Sequence, residues 1–200
     1  VNDHEMENLG RQVSLIKAEV SEPFIFVAFL VEQWNQELSP WNAPPVFGAE
    51  GFGDGAGETL RFIREKLIPF VTEQYASGDN LPVILGGYSL AGLFALWSAC
   101  QTEEFSAVAA VSPSVWFPGW DAYAKEHTLK SERIYLSLGR KEEKTRNKIM
   151  AEVGDCIREQ YKRLTGNGIT SVLEWNEGNH FQESDLRCAK GFIWCVRNIG

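Results

Sequence analysis

The stretch from residue 82 to residue 96 decides the fold, and it reads Pro82-Val-Ile-Leu-Gly-Gly-Tyr-Ser-Leu-Ala-Gly-Leu-Phe-Ala-Leu96. Its first five residues form a short apolar run that is typical of a strand buried in a sheet. A helical pattern follows from Leu90 to Gln101. Ser89 stands between the two, with small residues two positions before it and two positions after it. The stretch therefore predicts a strand, a tight turn that carries a serine, and a helix.

The same alternation of strands and helices continues in both directions along the chain. Besides Pro82–Gly86, apolar and β-branched runs predict strands at Phe24–Val31, Ala107–Val111, Arg133–Leu138 and Thr170–Trp175. Helices are predicted at residues 5–18, 60–75, 90–101, 144–164 and 183–197, and Pro69 is expected to kink the second of them. Repeated β–α alternation predicts a mostly parallel sheet with helices on both faces, a three-layer α/β/α sandwich. Such sheets bind ligands at the carboxyl ends of their strands.

Length and charge limit the domain organisation and the class of partner. The chain has 200 residues, 44% of them hydrophobic and 23% charged, which fits one folded domain over residues 1–200. The formal net charge is −8 and no dense basic stripe occurs, so neither nucleic acid nor an anionic membrane surface is expected as a partner. No apolar run reaches the roughly 18 residues that a transmembrane helix needs. A small molecule is the expected partner.

The cysteines predict neither a metal site nor a redox motif. Cys100, Cys156, Cys188 and Cys195 contain no C-x-x-C pair. The last two are seven residues apart on one face of a predicted helix, where core packing is the expected role. A reduced, cytoplasmic location is the expectation that follows. The first residue is Val1, so a removed signal peptide is an alternative.

The turn around Ser89 has the pattern of a nucleophile elbow, G-x-S-x-G, with alanine in the last position. Such a turn needs small residues on both sides of the serine, and Gly87 and Ala91 meet that requirement. Ser89 Oγ would then lie at a helix N-terminus, and the Leu90 N–H would serve as one half of an oxyanion hole. The alternative is a glycine-rich turn in which Ser89 only caps the helix.

A serine nucleophile needs a base, and the chain has three histidines. His4 lies near the start of the chain, and His127 lies in a polar stretch. His180 follows the last predicted strand and precedes the final helix, which places it at the carboxyl edge of the sheet. Its position also fits the chain order serine, acid, histidine of this architecture. His180 is therefore the predicted base, with a surface or capping residue as the alternative.

The acid is expected after the strand that lies between the serine and the histidine. The loop after Arg133–Leu138 supplies Glu142 and Glu143. Glu142 is predicted as the acid and Glu143 is the alternate, while the remaining one complements the dipole of the following helix. A Ser–His pair that works without an acid is a further alternative.

The second oxyanion donor is expected from the loop after the first predicted strand, where the backbone N–H of Gln33 or Trp34 is predicted. Tyr88, Trp41 and Trp116 are predicted to contact substrate. Aromatic residues of two loops would wall the pocket: Trp34, Trp41, Phe47, Phe52, Trp116, Phe117 and Trp120. For each tryptophan taken singly, packing in the core is the alternative.

Several segments, taken in order, carry a family resemblance. They are Trp34–Trp41, Gly57–Pro69, Gly86–Leu96, Val111–Trp116 and Gly178–Phe181. Together they resemble the putative-esterase branch of the α/β-hydrolases, which includes the enterochelin esterases, esterase D and the antigen 85 mycolyltransferases. The resemblance covers about residues 24–198. Relatives carry extra strands upstream, and the two alternatives here are a sheet that lacks strands at its N-terminal edge and a sequence from which upstream residues are missing.

The resemblance implies an α/β-hydrolase fold with Ser89 as nucleophile and His180 as base. Its oxyanion donors would be the Leu90 N–H and an N–H near Gln33. It also implies hydrolysis of a small-molecule carboxylic ester through an acyl-enzyme, with no metal and no cofactor. The alternatives are a non-catalytic binding protein with the same fold, and acyl transfer to an alcohol acceptor.

The substrate is left open by the sequence. A short-chain or aryl ester is the default. The basic residues between positions 140 and 148 would suit an anionic siderophore ester. A solvated helix face, in which Glu142 and Glu143 interleave with these cations, is the preferred interpretation of the run.

Overall fold

A parallel sheet forms the centre of the molecule. The computed structural model describes residues 3–76 and 81–199, with side chains from residue 8 onward. Within these ranges the strands are β1 (Val83–Tyr88), β2 (Phe105–Val111), β3 (Arg133–Gly139) and β4 (Thr170–Asn176). They lie in the spatial order β1-β2-β3-β4, and each neighbouring pair is parallel. Their carboxyl ends therefore meet at one edge of the sheet.

Helices cover both faces of this sheet. Over the described ranges they are α1 (Asp3–Glu19), α2 (Trp34–Glu37), α3 (Ala56–Phe62), α4 (Ile68–Tyr75), α5 (Leu90–Gln101), α6 (Trp120–Glu126), α7 (Lys148–Ala151), α8 (Val153–Gly166) and α9 (Ser184–Asn198). Helices α5 and α8 pack on one face, and α9 packs on the other with α1 outside it. The predicted three-layer α/β/α architecture is confirmed.

Strand β2 shows why the layers hold together. Val108 and Ala110 point towards α5 and α8, whereas Ala107, Ala109 and Val111 point towards α9, and all five are fully buried. Because successive side chains of a strand point to opposite faces, a strand that is apolar at every position is most stable when both faces are covered. The alternation of small and branched residues also lets the helices approach the sheet closely.

The prediction of a strand at Phe24–Val31 is wrong. The segment has no regular secondary structure and joins no ladder of the described sheet, whose edge strand β1 pairs only with β2. Phe24 and Phe26 pack against α1 and α9, while Ile25 and Val27 are 39% and 40% exposed. A cavity of about 120 Å³ is lined by both this segment and β1. An apolar run indicates burial, but a strand also needs a neighbour at hydrogen-bonding distance.

The helix predicted at residues 60–75 is interrupted. A π-helical turn at Ile63–Leu67 joins α3 to α4, just before Pro69. Proline lacks the N–H that an α-helix interior requires, and the wider turn accommodates the missing hydrogen bond. The structure places a π-helical turn beside Pro69, and the kink predicted there stays a prediction.

The helix predicted at residues 144–164 is wrong over its first part. A 3₁₀ turn occupies Glu142–Lys144, the short α7 follows, and α8 begins only at Val153. The Asn147 side chain starts α7 because its Oδ1 accepts hydrogen bonds from the Ile149 and Met150 N–H groups, at 3.1 and 3.2 Å. The other predicted strands and helices match within a few residues.

The domain predicted from the sequence extends beyond the described ranges. Residues 1–2, 77–80 and 200 of the domain predicted over residues 1–200 lie outside the described residues, as does the side chain of His4. In the part of the chain that is described, no helix has the length and apolar character needed to cross a membrane.

Candidate active site

Ser89 occupies a strained turn between β1 and α5. Its backbone angles are φ 59° and ψ −122°, in a region that few residues other than glycine adopt. The Ser89 N–H donates to the Val111 carbonyl at 3.0 Å, and the Ser89 carbonyl accepts from the Ser114 N–H at 3.0 Å. These two bonds tie the turn to the end of β2. The strand–turn–helix context expected for an elbow is therefore present.

His180 lies in the loop between β4 and α9, against Ser89. The distance from His180 Nε2 to Ser89 Oγ is 3.0 Å, and the distance from His180 Nδ1 to Glu142 Oε2 is 2.7 Å. The Tyr88 hydroxyl donates to the His180 carbonyl at 2.8 Å. The structure thus brings together the three side chains that the sequence singled out, from three different β–α loops. The chain order is serine, glutamate, histidine.

Glu142 lies in the 3₁₀ turn after β3 and is 7% exposed. Its Oε1 accepts hydrogen bonds from the Gly139 N–H at 2.7 Å and from the Ser112 hydroxyl at 2.8 Å. Burial acts to raise the pKa of the Glu142 carboxyl. The hydrogen bond and charge of His180, with the bonds from Gly139 and Ser112, outweigh burial and hold that pKa below its usual value. The carboxylate is therefore ionised at neutral pH and faces His180.

Glu143, the alternate acid, points elsewhere. Its Oε2 pairs with Arg158 of α8 at 3.0 Å, and the side chain is partly exposed. No contact between Glu143 and His180 occurs in the described part of the chain. The geometry separates the two glutamates by role: Glu142 meets the histidine, and Glu143 meets a helix.

The predicted oxyanion donors differ in what their N–H groups bind. Leu90 is the first residue of α5, a position whose N–H has no acceptor within the helix. The Gln33 N–H already donates to the Glu37 carboxylate at 2.7 Å. Trp34 is the first residue of α2, so its N–H, like that of Leu90, has no acceptor within its own helix. Of the two residues predicted for the second position, Gln33 is the one whose N–H is held by a side chain.

The loop aromatics form one packed cluster. Trp41 contacts Phe117 edge-on at 5.8 Å between ring centroids, and its indole N–H donates to the Pro118 carbonyl at 2.8 Å. Trp116 lies 6.2 Å from Phe52 and is only half-buried. Trp120 is 2% exposed in the main core. Trp41 is partly buried as well, so both tryptophans that were predicted to contact substrate keep some exposed surface, whereas Trp120 is a core residue whose indole N–H donates to Gln160 of α8.

Sequence reasoning missed Arg187 and Ser112. Arg187 of α9 is fully buried and its Nη1 lies 3.0 Å from Glu142 Oε1. Ser112 has a φ of 43°, and its hydroxyl binds the same carboxylate oxygen. One available signal was spacing, because Arg187 precedes Gly191 and Cys195 by four and eight residues, on one stripe of the helix. A charged residue on a buried stripe indicates a partner inside.

The arrangement has the chemical parts of nucleophilic acyl transfer. A hydroxyl, an imidazole and an ionised carboxylate form a continuous hydrogen-bonded chain. The imidazole can accept the hydroxyl proton at Nε2 while the carboxylate holds the N–H at Nδ1. A helix N-terminus starts directly after the hydroxyl-bearing residue, where a developing negative charge is stabilised.

Comparison with known families identifies the group of proteins to which the chain belongs. Residues 7–182 match the model of the family described as Putative esterase. The match spans most of the chain and includes Ser89, Glu142 and His180. The chain belongs to the Putative esterase family. It is accordingly a carboxylic ester hydrolase. No curated protein matches the sequence of this esterase.

Solved structures share the fold of this esterase. The siderophore hydrolase EstA from Aspergillus nidulans superposes with a TM-score of 0.69 and 23% identity, over 98% of this chain and 78% of that one. For the IroE-like serine hydrolase from Shewanella oneidensis the TM-score is 0.74 and the identity 19%, over 96% of this chain and 67% of that one. For the BES protein from Bacillus cereus the TM-score is 0.65 and the identity 21%, over 94% of this chain and 76% of that one. The likeness confirms the predicted α/β-hydrolase fold.

We expect Gly87→Ala to destabilise the esterase and to inactivate it. A Cβ on Gly87 would lie 2.5 Å from the carbonyl carbon of Ala91, a backbone atom that cannot move without displacing the helix. The free energy of unfolding should fall by about 1–3 kcal/mol. Ser89 Oγ should also move out of hydrogen-bonding distance of His180 Nε2. Urea denaturation and ester hydrolysis would measure both effects.

The matched control for this substitution is Gly57→Ala in α3. A Cβ on Gly57 meets nothing within 4 Å, so this variant should keep its activity and unfold at equal or higher urea. Wild-type activity and stability in Gly87→Ala would show that the close approach in the elbow is not required.

Proposed function

We propose that this esterase cleaves carboxylic esters through Ser89 as nucleophile, His180 as general base and acid, and Glu142 as the residue that orients the imidazole. The observation that carries the proposal is the unbroken chain from Ser89 Oγ to His180 Nε2 at 3.0 Å and from His180 Nδ1 to Glu142 at 2.7 Å. Each contact joins residues far apart in sequence, and each lies within the distance needed for proton transfer.

In the acylation half-reaction, Ser89 Oγ attacks the ester carbonyl carbon while its proton passes to His180 Nε2. The carbonyl π electrons move to the oxygen and form an oxyanion. When the tetrahedral intermediate collapses, the C–O bond to the alcohol breaks, and the leaving oxygen takes the proton from His180. The alcohol departs and the acyl group remains on Ser89.

In the second half-reaction, water takes the place of the alcohol. It transfers a proton to His180 as its oxygen attacks the acyl carbon, and the intermediate then expels Ser89 Oγ, which recovers the proton. The carboxylic acid is released. Glu142 stays ionised throughout and stabilises the imidazolium that forms in each step.

The oxyanion is assigned to the N–H groups of Leu90 and Trp34. Two backbone donors aimed at the developing charge are the usual device for such intermediates, and each contributes roughly 100-fold to the rate. The Leu90 N–H adjoins the nucleophile, whereas the Gln33 N–H is already held by Glu37. Tyr88, predicted to contact substrate, is assigned instead to support His180, because it is buried behind that residue.

The test is hydrolysis of p-nitrophenyl acetate and butyrate, together with labelling by a fluorophosphonate probe. We expect turnover, and a labelled peptide that contains Ser89. His180→Ala should abolish both, whereas His127→Ala, on a histidine stacked against Tyr123 at the surface, should keep both. Absence of labelling in the wild type would instead support a non-catalytic binding protein. Formation of a methyl ester in added methanol would detect acyl transfer.

A second proposal concerns the charge of the substrate. The preferred interpretation of the basic run is a solvated helix face in which Glu142 and Glu143 interleave with the cations. The structure differs in part, because Glu142 is buried, Glu143 pairs with Arg158, and the run spans a 3₁₀ turn and the start of α7. The cations of the run left exposed, without an ion pair in the described ranges, are Lys141, Lys144, Arg146 and Lys148. The Lys141 N–H donates to the Gly178 carbonyl at 3.0 Å, so this loop lies against the loop of His180. We infer that an ester carrying negative charge is favoured.

The expected result is a charge-dependent loss in Lys141→Gln/Lys144→Gln. Its kcat/KM for the anionic ester p-nitrophenyl hemisuccinate should fall by roughly 10-fold at low salt, and less at high salt. Its kcat/KM for neutral p-nitrophenyl butyrate should not change. Lys17→Gln/Lys66→Gln removes the same charge elsewhere on the surface and serves as control. Equal losses for both esters, or in both double variants, would contradict a local role of the loop.

A further inference from the structure

Arg187 is the buried cation of the candidate active site. Its side chain is 1% exposed, although it carries a full positive charge. Its Nη1 lies 3.0 Å from Glu142 Oε1, and its Nη2 donates to the Glu177 carbonyl at 2.6 Å. The guanidinium therefore binds both the predicted acid and the loop that leads to His180.

A second path joins Arg187 to the base. Arg187 Nη1 also donates to the Tyr88 hydroxyl at 3.1 Å, and that hydroxyl donates to the His180 carbonyl at 2.8 Å. Burial, the largest effect, raises the pKa of Tyr88 to about 12. The phenol is therefore protonated over the working range and always has a proton to donate. One arginine thus holds the backbone of the histidine and the carboxylate that the histidine contacts.

Fold stability alone does not account for a charge in this place. Arg187 Nε has no hydrogen-bond partner among the residues that the structure describes. A buried ion pair with an unsatisfied donor is often no more stabilising than well-packed apolar residues of similar volume. What the guanidinium adds, and an apolar side chain would not, is a fixed orientation and a positive charge at Glu142.

We propose that Arg187 is a positioning residue of the reaction, one that directs Glu142 Oε2 towards His180. This role of Arg187 rests on the function proposed above. Glu142 Oε1 accepts hydrogen bonds from Arg187 Nη1, the Gly139 N–H and the Ser112 hydroxyl. With three donors on one oxygen, the other oxygen is left for His180 Nδ1.

The charge of Arg187 has a consequence for pH dependence. Removing a cation beside the Glu142–His180 pair makes proton uptake by the pair more favourable, so the pKa of Glu142 rises. The acidic limb of the kcat/KM profile then moves to higher pH, as a property of the coupled pair. The other titratable or charged groups nearby are Tyr88 from β1, Cys188 from α9, and Arg140 paired with Glu177 from the adjoining loops.

The test compares Arg187→Gln with Arg187→Lys, at one active-site concentration set by fluorophosphonate titration. Arg187→Gln should lower kcat by about 100-fold, the lower end of what positioned proton transfer contributes. KM should stay within a few-fold, because Arg187 lies behind Glu142. The acidic limb of the kcat/KM profile should shift to higher pH. Arg187→Lys keeps the charge without the fork, so its kcat should fall less and its acidic limb should stay near that of the wild type.

Arg197→Gln is the matched control, since it removes an arginine from the same helix at an exposed ion pair with Glu19. It should leave kcat and the pH profile unchanged. The proposal is overturned if Arg187→Gln keeps wild-type kcat per titrated site and the same acidic limb, since the residue would then serve only folding. If Arg187→Gln does not fold, Arg187→Lys decides: its kcat should fall below that of the wild type, and wild-type kcat would overturn the proposal.

Failure of the underlying function has a different result. Wild-type protein that neither labels at Ser89 nor hydrolyses esters would remove the proposed reaction itself. Labelling of the wild type, with an unchanged Arg187→Gln, removes only the role of the arginine.

Discussion

Replacing Ser89 by alanine is expected to lower kcat/KM for p-nitrophenyl butyrate by about 10,000-fold and to leave the fold intact. The reason is the position of Oγ, 3.0 Å from His180 Nε2 on the strained turn after β1. Alanine has the same backbone and a smaller side chain, so the turn keeps its bonds to Val111 and Ser114. The remaining rate would come from the oxyanion donors and from substrate binding alone.

Ser98→Ala is the control for this prediction. Ser98 lies in α5, the helix that follows Ser89, and it is fully buried with a hydroxyl that has no partner among the described residues. Its replacement should change neither the rate nor the unfolding midpoint by much. Hydrolysis by Ser89→Ala within 10-fold of the wild-type rate would show that the nucleophile is another group.

Glu142→Gln is expected to reduce kcat by about 1,000-fold or more, whereas Glu143→Gln should change it by less than about threefold. Glu142 accepts from His180 Nδ1, and a neutral amide in its place favours the wrong tautomer of the imidazole. Glu143 instead pairs with Arg158 at a partly exposed site, where an ion pair contributes little. Steady-state kinetics on the two single variants would decide between the two glutamates. Equal losses in both would contradict the assignment.

The lowered pKa of Glu142 predicts how the stability of the fold depends on pH. The pKa of Glu142 is held below its unfolded value of about 4.5, so the carboxylate stabilises the fold above that pH. This contribution is lost as pH falls through the folded pKa. Glu142→Gln should therefore be less stable than the wild type by about 3 kcal/mol at pH 7, and the gap should narrow towards pH 3. Urea denaturation at both pH values tests this. The control is Glu143→Gln, whose free energy of unfolding should differ from that of the wild type by less than about 1 kcal/mol.

The elbow could be predicted because its requirements are local. A strand, a turn with small residues and a helix lie within about twenty residues, and steric limits at Gly87 and Ala91 act across a few bonds. His180 could be predicted from order along the chain, since loops that follow parallel strands meet at one sheet edge. The pairing of Ser89 with His180 across 91 residues follows from that topology.

The choice between Glu142 and Glu143 could not be made in the same way. Adjacent residues in a loop point in different directions, and the direction depends on the 3₁₀ turn and on α8, which starts later than the periodicity indicated. The partners of the buried Arg187 could not be predicted for a related reason. Its partners Glu142 and Tyr88 lie 45 and 99 residues away, and no local pattern records them.

By itself, the sequence determined the α/β class, the parallel sheet, and the candidate serine and histidine, because periodicity, turn sterics and chain order act over short distances. The tertiary structure alone decided which glutamate meets the imidazole, that Arg187 is enclosed beside it, and that Phe24–Val31 has no strand to pair with. These outcomes depend on which groups, distant along the chain, reach hydrogen-bonding distance once the layers have packed.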